Sequence, residues 1–287
     1  MSNCHYEHRC LKKQKIIFFI LALFFSLYGR GQQFYFIPAQ TIKPYEILGD
    51  SGRSSLNYSG NVNSKSSYQM QVDSFSISKQ ITLGEYKQYL EAVKKDSSRN
   101  FYSSQLPDSN IASEENYQKY ISDKKYDGFP VVGITWEAAM NFCKWKTFSE
   151  NKTGKINYIY RLPKLSEWLD ATDYLEKNKT SNDFNKNYSD WTMNAYFEGY
   201  GFNKDTSFIY DLIFLFPKKN DAARNKRPIV IGDSYLFQRE KLAWYFRTYF
   251  TFNGYRQIAF RLVREFPETK KSLTKSVIEY WGITNAE

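Results

Sequence analysis

The sequence predicts an irregular α+β domain with two main helices, short strands and long loops. Two observations predict it. Twice in the first half a strand-like run leads straight into a capped helical stretch, at "FSISKQITLGEYKQYL" and at "FPVVGITWEAAMNFCKW". In the second half the apolar runs are brief, at "FIYDLIFLF", "RPIVIGDSYLF" and "QIAFRLVRE", and polar stretches separate them. Helices that precede a run of strands, without strict alternation, indicate α+β rather than a parallel α/β sheet.

The chain opens on what reads as an export leader, residues 1–31. Arg9, Lys12, Lys13 and Lys15 precede a short apolar run from Ile16 to Tyr28, and Gly29-Arg30-Gly31 offers small residues for cleavage. A membrane-spanning helix needs about 20 apolar residues, so the shorter run fits a secretory signal peptide. The expectation is an exported protein of the periplasm or cell envelope, with no integral membrane span after cleavage. The run ends in "GRGQQ" without a cysteine, so a lipid anchor of the bacterial lipoprotein type is not expected.

Removing the leader narrows the chemistry. The chain has 2 His and 3 Cys. His5, His8, Cys4 and Cys10 all lie in the leader, which leaves Cys143 as the mature cysteine. A Ser–His–Asp triad, a Cys–His pair and a histidine-ligated metal are then excluded by composition. The net charge is +10, partly carried by the leader. No Lys/Arg run is interleaved with aromatics, so a nucleic-acid partner is not expected.

Residues 32–70 read as a polar N-terminal arm with one strand near "FYFIPA". The folded domain is expected over 71–266. "QVDSFSIS" alternates, with Val72, Phe75 and Ile77 suited to a half-buried strand. Thr82 and Glu85 form a capping-box pair, and Tyr86, Tyr89, Leu90 and Val93 share a helical face. Residues 95–128 read as a charged surface insertion with little regular structure. Val131, Val132 and Ile134 suggest a strand, and Thr135 caps the next helix, where Trp136, Ala139, Met140 and Cys143 share a face. Cys143 is expected to be a packed core thiol. A strand then ends at Arg161, Pro163 turns the chain, and a helix carries Leu165, Trp168, Leu169 and Thr172. Lys164 occupies the cap position, where Ser, Thr or Asp would serve better. Glu167, three residues on, can still reach back to a backbone N–H.

Residues 174–225 read as irregular apart from 208–216, a buried strand; strands are also expected at 227–237 and 257–265. Asp183, Asn185, Asp190 and Asp205 could hold Ca²⁺, against the alternative of a solvated acidic loop. The tail, 267–287, reads as an amphipathic helix. Its Val277, Ile278, Tyr280 and Trp281 are candidates for docking a partner, unless the helix packs on its own domain.

Four fragments, "FSISKQITLGEYKQYL", "FPVVGITWEAAMNFCKW", "RLPKLSEWLDA" and "IAFRLVRE", stand in the order and roughly the spacing of the formylglycine-generating enzyme, or sulfatase-modifying factor, family. The resemblance covers about residues 71–265. It implies a compact C-type-lectin-like domain and a scaffold motif made of Trp136, Cys143, Trp145, Arg161, Leu162, Pro163, Glu167, Trp168, Phe260 and Arg261. It also implies copper-dependent oxygen chemistry at a cysteine pair near an "RGGSW" segment. The matching stretch here, "IVIGDSYLFQREKLAWYFR", ends that motif in Ser234 and Tyr235 and contains no cysteine. A Cu(I) site of that type needs soft thiolates. No catalytic residue and no cofactor is therefore assigned. Members of the family that resemble the enzyme fold but lack its chemistry include gliding-motility and type IX secretion proteins. The expected function is a non-catalytic structural or protein-binding domain of the bacterial envelope, with envelope proteins as partners. A lectin-like glycan-binding module is the alternative, and an oxygen-dependent oxidoreductase the third.

Overall fold

Two capped helices set the frame, as the sequence predicts. The computed structural model describes residues 34–43, 69–151, 157–180, 188–197, 209–211, 226–232, 247–248, 252–266 and 281. Helix α1 (Leu83–Asp96) opens with Thr82, whose side chain accepts from Glu85 N, while the Glu85 carboxylate accepts from Thr82 N at 2.9 Å. Tyr86, Tyr89, Leu90 and Val93 are buried along one face, the 3.6-residue stripe expected of a core-facing helix. The longer helix of residues Trp136–Glu150 begins at Thr135, which accepts from Ala138 N at 3.1 Å, and buries Trp136, Ala139, Met140 and Cys143.

Between them the expectation fails. Residues 95–128 hold two further helices, α2 (Arg99–Gln105) and α3 (Glu114–Ser122), and two 3₁₀ turns. Polar residues start these pieces. Ser98 accepts from Phe101 N and Asp108 from Asn110 N. The same Ser and Asp residues also favour turns, and α3 buries no side chain fully; its inward face is the short, half-buried stripe Tyr117, Tyr120 and Ile121. The long helix is therefore α4 (Trp136–Glu150), and α5 (Leu165–Lys177) follows.

Among the described residues the strands form three sheets. One runs in the order β1 (Phe34–Ile37), β4 (Phe75–Ser78), β11 (Val263–Glu265), β5 (Ile159–Arg161). The second runs β10 (Ile258–Ala259), β6 (Ser189–Phe197), β8 (Lys226–Ile231), β9 (Arg247–Thr248), with β7 (Ile209–Asp211) also pairing β6. The third is a ribbon of β2 (Gln40–Ile42) and β3 (Met70–Val72). Tyr35, Ile37, Phe75, Ile77, Trp168, Leu169, Ile229 and Val263 share one core, which places α5 against all three sheets.

Two predicted strands turn out to be divided. The 71–78 run becomes β3 and β4, separated by exposed Asp73 and Ser74, and the halves join different sheets. The 257–265 run becomes β10, parallel to β6, and β11, antiparallel to β4 and β5. Between those pieces Phe260, Arg261 and Leu262 are buried in succession, which an alternating strand cannot do. Val131–Ile134 forms no strand either. Pro130 makes a lone bridge to Thr82, and Gly133 takes a positive φ of 76° that ends any ladder.

The nine-residue β6 lies where the sequence reads as irregular. Trp191, Met193 and Ala195 are all fully buried, a period-two signal visible in "WTMNA". Of the tail residues, Val277, Ile278 and Tyr280 lie outside the described residues. Trp281 is buried, and its carbonyl accepts from Lys144 Nζ at 2.8 Å.

Candidate functional site

The segment "RLPKLSEW" supplies a dense buried polar cluster. Arg161, at the end of β5, is fully buried. Its guanidinium grips Glu167 with both ends, Nη1 to Oε2 at 2.7 Å and Nη2 to Oε1 at 2.6 Å, and Nη2 also donates to Glu265 on β11. Such fork-on-carboxylate pairing is directional as well as strong. Burial works against the cation, but Glu167 and Glu265 outweigh it and hold the guanidinium above its ordinary pKa. The guanidinium's two terminal nitrogens are thus engaged by these carboxylates, while its buried Nε has no hydrogen-bond partner.

The same segment starts α5 by borrowing a cap. Lysine has no acceptor, so Lys164 makes no side-chain cap bond. Glu167 Oε2 accepts from Lys164 N at 2.8 Å, as expected. The first helical N–H, that of Leu165, donates instead to Asn194 Oδ1 of β6 at 2.6 Å. Asn194 is in position because β6 bulges. Its register with β8 shifts between Trp191 and Ala195. The freed backbone groups take other partners: Met193 N donates to Pro163 O at 2.9 Å, and Thr192 O accepts from Trp136 Nε1 at 2.8 Å. A bulge that redirects strand groups in this way is a built feature rather than a defect.

A second buried centre forms around Asp190 on β6. Asp190 Oδ2 accepts from Arg261 Nε at 2.6 Å and from Trp168 Nε1 at 2.9 Å, and Oδ1 accepts from Gln80 Nε2 at 2.9 Å. This overturns the reading of Asp190 as a calcium ligand on an exposed loop. It is fully buried and already paired with an arginine. Asp183, Asn185 and Asp205 lie outside the described residues. Among the described residues, no group of three His, Cys, Asp or Glu could hold a metal.

Of the other motif residues, Leu162, Trp136 and Trp168 are core side chains. Phe260 packs edge-to-face on Phe142 and Tyr86. Trp145 packs obliquely on Tyr89 and Phe142. Cys143 is free and fully buried, and burial pushes its thiol well above the usual range, with nearby Arg161 a lesser opposing influence. A neutral buried thiol is a poor metal ligand, since the thiolate is the binding form. Ser234 and Tyr235 lie outside the described residues, and no cysteine accompanies them in sequence. The donors in this domain therefore do not fit a Cu(I) site built on two thiolates.

A third feature is a tight backbone crossing. Gly133 N donates to Tyr255 O at 3.0 Å, and Gly133 O accepts from Asp108 N at 2.8 Å. A Cβ on Gly254 would lie 1.9 Å from Gly133 O. The 95–128 insertion, the start of α4 and the 252–257 segment are thereby fastened together. Sequence reasoning did not find this junction, and a Gly between Asn253 and Tyr255 is its only local sign.

The profile of a family described as "Sulfatase-modifying factor enzyme 1-like domain" matches residues 40–200. A crystal structure of CarF is similar at 16% identity and a TM-score of 0.46, covering 82% of this chain and 99% of that one. No curated protein matches the sequence. Among the described residues, no helix is long and apolar enough to cross a membrane.

Proposed function

The chain belongs to the sulfatase-modifying factor enzyme 1-like domain family, and on that premise we propose that it is an exported, non-catalytic structural or protein-binding domain of the bacterial cell envelope. One observation carries the reading. The family frame is complete in its internal charge pairing, Arg161 with Glu167 and Arg261 with Asp190, while the cysteine within the frame, Cys143, is sealed and neutral. Residues that hold the fold are present, and residues that would carry thiolate–copper chemistry are not. A frame kept without that cysteine pair supports binding as the use of the domain. The leader-like start and the family's secretion and motility relatives favour envelope proteins as partners.

The test is in-cell cross-linking followed by affinity recovery from envelope extracts. The proposal expects the same envelope protein to be recovered repeatedly with the wild type and lost when exposed surface residues are scanned. Absence of any partner, together with selective binding on a glycan array, would replace this reading with a lectin-like one.

A further inference from the structure

The arm-side ribbon is fastened to α5 by a contact between an amide and a carboxyl that has no cation beside it among the described residues. Gln40 on β2 donates its Nε2–H to Asp170 Oδ1. Asp170 is fully buried, and its second oxygen, Oδ2, has no hydrogen-bond partner. The charged groups acting on it are Asp173 and Glu167, both acidic and both on α5. Among the described side chains the nearby cations do not act on it: Arg264 of β11 lies over the Tyr158 ring, and Lys43, just past β2, is not among the groups that shift Asp170. β2 and β3 carry no charged residue. Asp190 on β6 is acidic and already held by Arg261. The side chains of Lys226 and Arg227 on β8 lie outside the description. Arg161 of β5 is committed to Glu167 and Glu265.

We propose that Asp170 and Gln40 form a pH-sensitive latch, which holds the β2–β3 ribbon on α5 when Asp170 is protonated and loosens it when Asp170 ionises. An ionised carboxylate with a buried, unsolvated oxygen is costly. A proton on that oxygen removes the charge and turns a bare acceptor into a donor. Burial pushes the Asp170 carboxyl up from its ordinary 3.8 to about 6, against a smaller downward pull from Gln40 and with smaller upward pushes from Asp173 and Glu167. Because the docked state holds the proton more tightly than the undocked one, docking is strongest below the free-acid pKa. It weakens as pH rises through about 6. Loosening would uncover the apolar face where Ile42 and Val72 share a core with Leu165 and Leu169.

Hydrogen exchange of the full chain, read by mass spectrometry over residues 40–43 and 70–72 and corrected for intrinsic pH dependence, tests the latch. Opening of the ribbon should rise about tenfold between pH 5 and pH 7.5 in the wild type, the change expected for a carboxyl moving between these two pKa values. Asp170→Asn, which cannot ionise, should stay protected across the range. Gln40→Ala should be open at both pH values while α4 amides remain unchanged. A flat wild-type profile, an Asp170→Asn profile parallel to the wild type, or unchanged ribbon protection in Gln40→Ala would each overturn the proposal.

Discussion

Replacing Arg161 by Met isolates what the central ion cluster contributes. The guanidinium is fully buried, and the two carboxylates it serves expose only 9% and 12% of their side chains. Methionine matches much of the arginine stem and fills most of the space, so the main loss is charge compensation rather than volume. Removing one partner of a buried pair typically costs about 3–5 kcal/mol, because the remaining charge stays desolvated. Here two carboxylates are stranded. Glu167 keeps its bond from Lys164 N, and both groups keep slight solvent contact, so the expected loss is about 3–5 kcal/mol rather than twice that. The sign of its pH dependence follows. Protonating a stranded carboxylate relieves it, so Arg161→Met should lose less stability at pH 5 than at pH 8. Urea unfolding monitored by tryptophan fluorescence suits the purpose, since Trp168 and Trp191 are fully buried. A loss below about 1 kcal/mol at pH 8, the range of an exposed pair, would refute the reasoning. So would an equal loss at both pH values.

Gly254→Ala should destabilise by about 3 kcal/mol, the upper end of overpacking costs, because its Cβ would sit 1.9 Å from Gly133 O; protease nicking within 99–128 should increase in parallel, as the insertion loses its anchor. Lys164→Thr should stabilise by about 0.5 kcal/mol in the same urea assay, the low end of a cap's worth, because Asn194 already serves the first helical N–H and leaves Thr only the next donors. Cys143 should resist maleimide in the native protein and react on unfolding, as read by mass spectrometry of its own peptide; rapid native labelling would show the core around α4 to be open.

Local signals made the helices legible. Thr82 with Glu85, and Thr135 before an apolar stripe, act within a few residues, and both helices begin where those caps place them. The Glu167 reach-back and the burial of Cys143 were legible for the same reason. What could not be read locally depends on partners far along the chain. Glu265 joins Arg161 from 104 residues away, and Asp190 meets Arg261 across 71. Asp190 looked like a loop acid because its neighbours are polar, yet the partners that neutralise it stand on other elements. The 257–265 run looked like one strand because each half suits one; only the turn of Arg261 inward toward Asp190 divides it. The bulge in β6 combines both cases. Its Trp191-Met193-Ala195 period was present in sequence, but Thr192 and Asn194 are buried by contacts with α4, α5 and β8 that no short window contains.

The central claim is that this domain keeps the family's frame without its thiolate–copper chemistry. The most direct test is anaerobic loading of the purified protein with Cu(I), in competition with a Cu(I) chelator, followed by metal analysis and oxygen-uptake measurement with a cysteine-containing peptide. The account predicts that the chelator keeps the copper and that oxygen uptake stays at background. Retention of one tightly held copper per chain, with peptide-dependent oxygen consumption, would contradict it.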